Sequence, residues 1–179
     1  VDDNVERLSD TKTFEQPNLL LENDGTGKFR NAGPDRGPGF AARKPSRALA
    51  VGDPDNDGDL DILISNVGQS PDLLRNDGGN RANSLLVRTV GTSSNRDGIG
   101  ARLRLSVGSR ILVREVRAGS SYLSQNDLRV HFGLGSEELA QRLEILWPSG
   151  ESDVLENIEA NQILTVREGD GVIERMPFE

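Results

Sequence analysis

The sequence contains no cysteine, few aromatic residues and a single histidine. The absence of cysteine excludes disulfides, thiolate metal sites and thiol nucleophiles. Only 34% of the residues are hydrophobic and 4% are aromatic, so the chain can build a core, but a lean one. The composition therefore predicts one ordinary domain or two small ones within 179 residues.

Long apolar runs and a basic excess are also missing. No stretch approaches the length of a membrane span, and residue 1 follows no signal-like apolar segment. The formal net charge is −8, and nothing in the sequence provides a clustered basic face for phosphates or a polybasic segment for anionic lipids. We therefore expect neither nucleic-acid binding nor membrane insertion, and the compartment has to be inferred from the chemistry of the chain.

Glycine and turn residues are abundant in the first half of the chain. Short apolar runs alternate there with Asn, Asp and Gly clusters, which predicts a hairpin in 16–33, a loop in 33–47, and strands in 48–52, 60–65 and 72–75. The phrase "LLLEND" at 19–24 returns loosely as "DLLRND" at 72–77, a spacing typical of a β-repeat such as a propeller blade.

The second half has longer strands with period-2 alternation. Ala101, Leu103, Leu105 and Val107 fall on one face of such a strand, which is typical of a sheet with one packed side. Only "SEELAQ" at 136–141 suggests a helix, with Ser136 as its N-cap. We predict an all-β protein with a boundary after residue 81: partial propeller-like blades in 1–81, and a compact β-sandwich or small barrel in 82–179.

The densest charge lies in "VGDPDNDGDLDILISN", residues 51–66. Asp53, Asp55, Asp57 and Asp61 occupy positions 1, 3, 5 and 9 of a loop, and a glycine at position 6 permits a sharp turn. Asp59, at position 7, would contribute its backbone carbonyl. Converging carboxylates repel one another unless a cation lies between them, so the pattern predicts a metal site formed by Asp53, Asp55, Asp57, Asp59 and Asp61.

Hard oxygen ligands in this number favour Ca²⁺, because Mg²⁺ takes fewer protein ligands and Zn²⁺ prefers His or Cys. The helix-loop-helix type of calcium site is excluded, since its twelfth position is Glu and here it is Ile64. The alternative is a merely hydrophilic turn. Against it stands Asp61, which lies inside an apolar run where an unpaired carboxylate is costly.

No catalytic constellation emerges from the sequence. His131 alternates with apolar residues in "LRVHFGLG", which is more typical of a structural histidine than of a general base. Ser120, Ser121 and Tyr122 lack a nucleophile-elbow pattern. Trp147 fits a core position better than a carbohydrate groove. We expect a protein that is not an enzyme.

Two resemblances cover most of the chain. "GDPDNDGDLDILISN" resembles the calcium loop of FG-GAP or VCBS-type repeats, the blades of integrin-like propellers, and "PNLLLENDGTGKF" resembles the hairpin of the same repeats. The stretch from "NRDGIGARLRLSVGSR" through "LEILWPSG" to "ANQILTVREG" resembles the ASPIC/UnbV domain, which follows such repeats.

These resemblances imply a calcium-binding, non-catalytic module that is extracellular, either secreted or on the cell surface, with the periplasm as an alternative. Its partner would be a protein or glycan that the sequence does not identify. Residues 1–81 are too few for a closed propeller, so exposed strand edges are expected. The alternative function is therefore a structural subunit of a calcium-dependent fibre or layer, assembled as a homo-oligomer or polymer by strand exchange.

Overall fold

The computed structural model describes residues 5–8, 10 and 13–179. This part of the chain contains fifteen strands, one four-residue α-helix at Val5–Leu8 and three short 3-10 helices at Gly33–Asp35, Pro38–Phe40 and Gly79–Arg81. The predicted all-β class is confirmed. Among the described residues, no helix is both long and apolar enough to cross a membrane.

The chain forms two compact units that are not contiguous in sequence. The first, the N-terminal unit, contains 1–49 and 63–74, and the second, the sandwich unit, contains 50–62 and 75–179. This division follows packing, whereas the boundary predicted after residue 81 rests on the change in strand length and alternation along the sequence, and it stays a prediction. Residues 50–62 thus pack with the second half of the chain although they precede it by some distance.

The first seven strands are short. They are β1 (Gln16–Pro17), β2 (Leu21–Asn23), β3 (Phe29–Asn31), β4 (Arg43–Lys44), β5 (Ser46–Gly52), β6 (Asp61–Asn66) and β7 (Gln69–Leu74). β1 pairs with β4, β2 pairs with β3 in the predicted hairpin, and β5-β6-β7 form a three-stranded sheet. The hairpin turn is held by side-chain acceptors, since Asn23 Oδ1 accepts from Gly25 N at 2.8 Å and Asp24 Oδ1 from Thr26 N at 2.8 Å.

The N-terminal unit buries few apolar side chains. Among its described residues, Ala32 and Ile64 are the buried hydrophobics. Its exposed large hydrophobics, here called the exposed apolar set, are Leu8, Leu19, Leu21, Phe29, Leu49, Leu63, Val67 and Leu73. In the described part of this unit, exposed large hydrophobic side chains therefore outnumber buried ones.

The sandwich unit has eight further strands. They are β8 (Asn83–Val90), β9 (Arg102–Val107), β10 (Arg110–Glu115), β11 (Val130–Gly135), β12 (Leu139–Leu146), β13 (Ser152–Glu159), β14 (Gln162–Arg167) and β15 (Gly171–Pro177). They form two separate four-stranded sheets in the orders β10-β9-β12-β13 and β11-β8-β14-β15. Neighbouring strands are antiparallel except β14 and β8, which are parallel. Of the two predicted architectures, the structure is a sandwich.

The core lies between these two sheets. In β9 and just before it, Ala101, Leu103, Leu105 and Val107 are fully buried, which confirms the period-2 prediction. The facing sheet contributes residues such as Phe132 and Leu164 to the same cluster. Trp147 belongs to this core, and its indole N–H donates to Asp153 Oδ2 at 2.7 Å, as a buried tryptophan requires.

The helix predicted for "SEELAQ" is wrong. Strand β12 begins at Leu139, and Ala140 pairs with Ile158 of β13 while its side chain is buried in the core. Leu143 and Ile145 are buried further along the same strand, and this burial outweighs the helical propensity of two glutamates and an alanine. Strand β15 was not predicted, because most of its side chains are exposed and its apolar pattern is correspondingly weak.

A buried carboxylate fixes the segment that precedes β9. Glu168 Oε2 accepts hydrogen bonds from the backbone N–H groups of Thr92, Ser93 and Ser94 at 2.8, 2.9 and 2.7 Å. Its Oε1 accepts from the hydroxyls of Ser94 and Ser149. Burial by itself would raise the pKa of Glu168, but the hydrogen bonds from Ser149, Ser94 and Thr92 outweigh it and lower the pKa to about 2.

Candidate metal centre

The loop between β5 and β6, residues 53–61, is called here the aspartate loop. It brings Asp53, Asp55 and Asp57 together so that one carboxylate oxygen from each lies within 4.8 Å of the others. Asp53 is buried, Asp57 is half-buried and Asp55 is exposed. Three carboxylates at this spacing could hold a metal ion, because one cation can contact an oxygen from each of them.

The loop closes because two residues adopt left-handed backbone conformations. Asn56 has φ 60° and Gly58 has φ 91°, conformations that Asn tolerates and Gly adopts without strain. Asp53 Oδ1 then accepts from Asp57 N at 3.2 Å and its Oδ2 from Gly58 N at 3.1 Å. The first carboxylate is therefore held by the backbone of the loop that it closes.

The other two members of the group differ in how they are held. Asp57 Oδ1 accepts from Asp59 N at 3.0 Å, and its Oδ2 accepts from Asn80 Nδ2 at 3.2 Å. Asp55 makes no hydrogen bond or ion pair within the described part of the chain. Its carboxylate can therefore serve a cation without losing a protein partner.

Asp59 and Asp61 are not brought into the three-carboxylate group. Asp59 Oδ2 accepts from Gly79 N at 3.1 Å, and Asp61 Oδ1 accepts from Asn76 N at 2.8 Å. Both carboxylates thus bind the backbone of the segment that follows β7. The hydrogen bond from Asn76 also explains why a carboxylate can stand inside the apolar run at Asp61. A role for these two residues as ligands stays a prediction.

Electrostatics within the loop favour a bound cation. Burial raises the pKa of Asp53 despite the hydrogen bond from Gly58 and the positive charge of Arg129. Burial likewise raises the pKa of Asp59, and the charge of Asp57 adds to the effect. Within the three-carboxylate group, the ionised form of Asp53 is therefore disfavoured by its surroundings, and a cation beside it would compensate for that cost.

The aspartate loop is anchored on the outer face of the sheet β11-β8-β14-β15. Gly58 O lies 2.9 Å from Ser84 Oγ, which donates to it, and 3.1 Å from His131 Nε2. Leu86, which pairs with His131 across the two strands, is completely buried although it faces away from the core. The loop therefore contacts this face of the sandwich at Ser84 and His131, the two neighbours of Leu86.

Arg129 provides a second anchor. Its guanidinium donates to Asn56 Oδ1 at 2.6 Å and to the backbone carbonyl of Asp53, while its Nε donates to Asp127 Oδ2 at 2.7 Å. At the end of the chain, Glu179 N donates to Asn56 O at 2.9 Å. The loop is thus tied to residues that are distant in sequence, and these bonds all lie within the sandwich unit.

His131 has a structural contact in this arrangement. It lies in strand β11, as predicted, and its ring faces the backbone of the aspartate loop. Burial lowers the pKa of His131, and the hydrogen bond with Gly58 O opposes that shift. The histidine is therefore mainly neutral at physiological pH and contributes a hydrogen bond to the loop.

Sequence reasoning missed the residues that hold the loop in place. Ser84, Asn80 and Arg129 show no local pattern that indicates contact with the aspartates. Only the repeated Asn-Asp-Gly phrase at 76–78 marks a neighbouring turn, without indicating that the backbone around it binds Asp59 and Asp61.

Comparison with known proteins gives a family match in the second half of the chain. Residues 91–173 match the family described as ASPIC and UnbV, which confirms the resemblance for this segment. The chain is also 35% identical over 121 residues to cartilage acidic protein 1 of Xenopus tropicalis. That alignment covers 63% of this chain and 18% of the relative, so the chain spans about a fifth of the relative's length. The aspartate loop lies outside the family-matched segment, and its resemblance to FG-GAP or VCBS repeats stays a prediction.

Proposed function

We propose that this protein is a calcium-stabilised, extracellular binding or scaffolding module without catalytic activity. The observation that carries the proposal is the three-carboxylate group of the aspartate loop, anchored on an ASPIC/UnbV-like sandwich. The name of the relative refers to cartilage, a tissue rich in extracellular matrix, which supports the compartment.

Calcium suits the site better than other metals. Asp53, Asp55 and Asp57 offer only oxygen, Asp59 can add its carbonyl, and water can complete a shell of six to eight oxygens. Sites of this kind in extracellular modules bind at roughly 10⁻⁴ to 10⁻³ M, which fills them outside the cell and leaves them empty in the cytosol. The loop and the compartment therefore support each other.

The hydrogen bonds of His131 and Glu168 favour a binding role over catalysis. His131 is engaged with the loop backbone, and the carboxylate of Glu168 is saturated with hydrogen bonds. Both groups that would first be considered for proton transfer are thus engaged in hydrogen bonds that hold the fold together.

Isothermal titration calorimetry with calcium tests the proposal on the whole chain. We expect one weak site in the wild type, its loss in Asp55→Asn, and its retention in Glu151→Gln, a control that removes one negative charge from an exposed turn. Asp55 is the informative position because its carboxylate has no protein partner within the described residues. Unchanged calcium binding in Asp55→Asn would refute the assignment.

The exposed apolar set favours a second candidate function, assembly between copies. In the described part of the chain, β7 lies at one edge of its sheet and β2-β3 form a two-stranded sheet, and both carry exposed apolar side chains such as Leu21 and Leu73, a combination that promotes strand addition. Light scattering with calcium and with chelator tests this candidate. A calcium-dependent rise in mass that Leu73→Ser abolishes supports it, and monomers in excess calcium contradict it.

A further inference from the structure

The sandwich unit contains an open cavity that is separate from the three-carboxylate group. Its volume is about 370 Å³, and it is lined by Arg88, Thr89, Asp97, Asp127, Leu128 and Arg129. Ligand pockets commonly begin at about 300 Å³, so the cavity has room for a ligand the size of a monosaccharide.

The wall of this cavity carries two arginines and two aspartates, so its formal charges cancel. Asp127 is paired with Arg129, whose Nε lies 2.7 Å from Asp127 Oδ2, and Asp97 is paired with Arg96 at 3.0 Å. Arg88 is exposed and makes no hydrogen bond or ion pair with the described residues, and its charge is the smallest of the causes that lower the pKa of Asp97. Arg88 is therefore the charged group of this wall that stays available to bind a ligand.

The kinds of polar group on the wall define the ligand chemistry. A guanidinium binds a carboxylate through two parallel hydrogen bonds. The carboxylates of Asp97 and Asp127 keep acceptor capacity beyond their arginine partners, and hydroxyl groups are suitable donors to them. Leu128, which packs against the core, offers an apolar surface for C–H groups.

We propose that this cavity binds a sugar acid of monosaccharide size, with its carboxylate on Arg88 and its hydroxyls on Asp97 and Asp127. A zwitterionic amino acid also offers Arg88 a carboxylate, but it carries one ammonium group in place of the several hydroxyls that the two aspartates can accept from. A neutral sugar lacks a group for the guanidinium altogether. The ligand class is therefore a hydroxylated monoanion, such as a uronic acid.

Arg129 connects the cavity with the aspartate loop. The same guanidinium that lines the cavity donates to Asn56 Oδ1 at 2.6 Å and to the carbonyl of Asp53. A cation that orders the loop would also fix this wall of the cavity, so calcium should strengthen ligand binding. This coupling rests on the proposed function, whereas the cavity and its Arg88, unpaired among the described residues, do not.

A nuclear magnetic resonance titration of the whole chain with sodium glucuronate tests the inference, in calcium and in chelator. We expect saturable shifts at Arg88, Thr89 and Leu128. The Arg88→Gln variant should weaken binding by at least about tenfold, as the loss of a charged hydrogen bond predicts. Arg102→Gln, an exposed arginine in the other sheet, should bind normally.

Acetate, glycine and glucose serve as comparison probes. Glucuronate binding that exceeds all three supports the proposal, while equal binding of acetate or tighter binding of glycine or glucose overturns it. Normal glucuronate binding in Arg88→Gln also overturns it. If calorimetry shows calcium binding and glucuronate causes no shifts, only the cavity proposal fails; shifts without calcium binding contradict only the proposed function.

Discussion

Calcium should stabilise the sandwich unit, because the aspartate loop belongs to it and covers part of its outer face. At about 10 mM calcium and a dissociation constant of roughly 10⁻⁴ to 10⁻³ M, mass action predicts about 1.4 to 2.7 kcal/mol of added stability. A bound cation would fix the positions of Asp53, Asp55 and Asp57. The ordered loop would then stabilise the sheet through the hydrogen bonds of Gly58 O with Ser84 and His131.

Urea unfolding followed by tryptophan fluorescence measures this effect in the correct unit. Trp147 is the single tryptophan of the chain, and it is 2% exposed in the core of the sandwich. A calcium-dependent shift of its transition therefore reports on the sandwich itself. The shift should be absent when magnesium replaces calcium at the same concentration, because Mg²⁺ retains its water more strongly.

The Asp55→Asn variant separates metal binding from loop structure. Its stability in chelator should equal that of the wild type within about 0.5 kcal/mol, because the exposed carboxylate has no protein partner among the described residues. Its gain in calcium should vanish, while Glu151→Gln should gain as much as the wild type. A full calcium gain in Asp55→Asn, or no gain in the wild type, would refute the reasoning.

Three further predictions address the fold. Phe132→Ala should lower the free energy of unfolding by about 3 to 5 kcal/mol in urea, because it empties a fully buried site, whereas the exposed Phe29→Ala should change it by less than about 0.5; comparable losses would contradict the core assignment. Gly58→Ala should cost about 1 to 3 kcal/mol by the same measurement, since its φ is 91° and the new Cβ would lie 2.5 Å from the ring of Phe178; an unchanged midpoint would be incompatible with this packing. The pKa of Glu168, about 2 in the folded protein against an ordinary 4.5, means that its stabilising effect is complete above pH 4.5 and is lost as the pH falls toward 2. Glu168→Gln should therefore reduce stability at neutral pH and flatten the acid-unfolding profile in that range, and an unaltered profile would contradict the hydrogen-bond network.

Local patterns predicted the strands but not the contacts between distant segments. The buried face from Ala101 to Val107 could be predicted because every second residue of β9 is apolar and buried. The turn at Gly58 could be predicted because the loop needs a residue there that tolerates a left-handed backbone conformation. The helix expected at 136–141 was wrong because propensity gave way to pairing with β13, a strand that lies beyond a turn.

The setting of the candidate metal centre could not be predicted for a related reason. Ser84, Arg129 and His131 contact the loop across 26, 76 and 73 positions of sequence. A polar side chain in an alternating strand does not indicate which distant backbone group it binds. Similarly, the aspartate spacing predicted ligands for a metal ion, but it did not indicate that the side chains of Asp59 and Asp61 accept from backbone donors at Gly79 and Asn76.

The interleaved packing of residues 50–62 has a consequence for how this chain can be divided. A fragment that begins at residue 82 would contain all eight strands of the sandwich but would lack the aspartate loop. Ser84 and His131 would then lose their shared acceptor, Gly58 O. Recombination or proteolysis at residue 82 would thus remove the acceptor that these two side chains share, and a fragment meant to keep this contact has to include the aspartate loop.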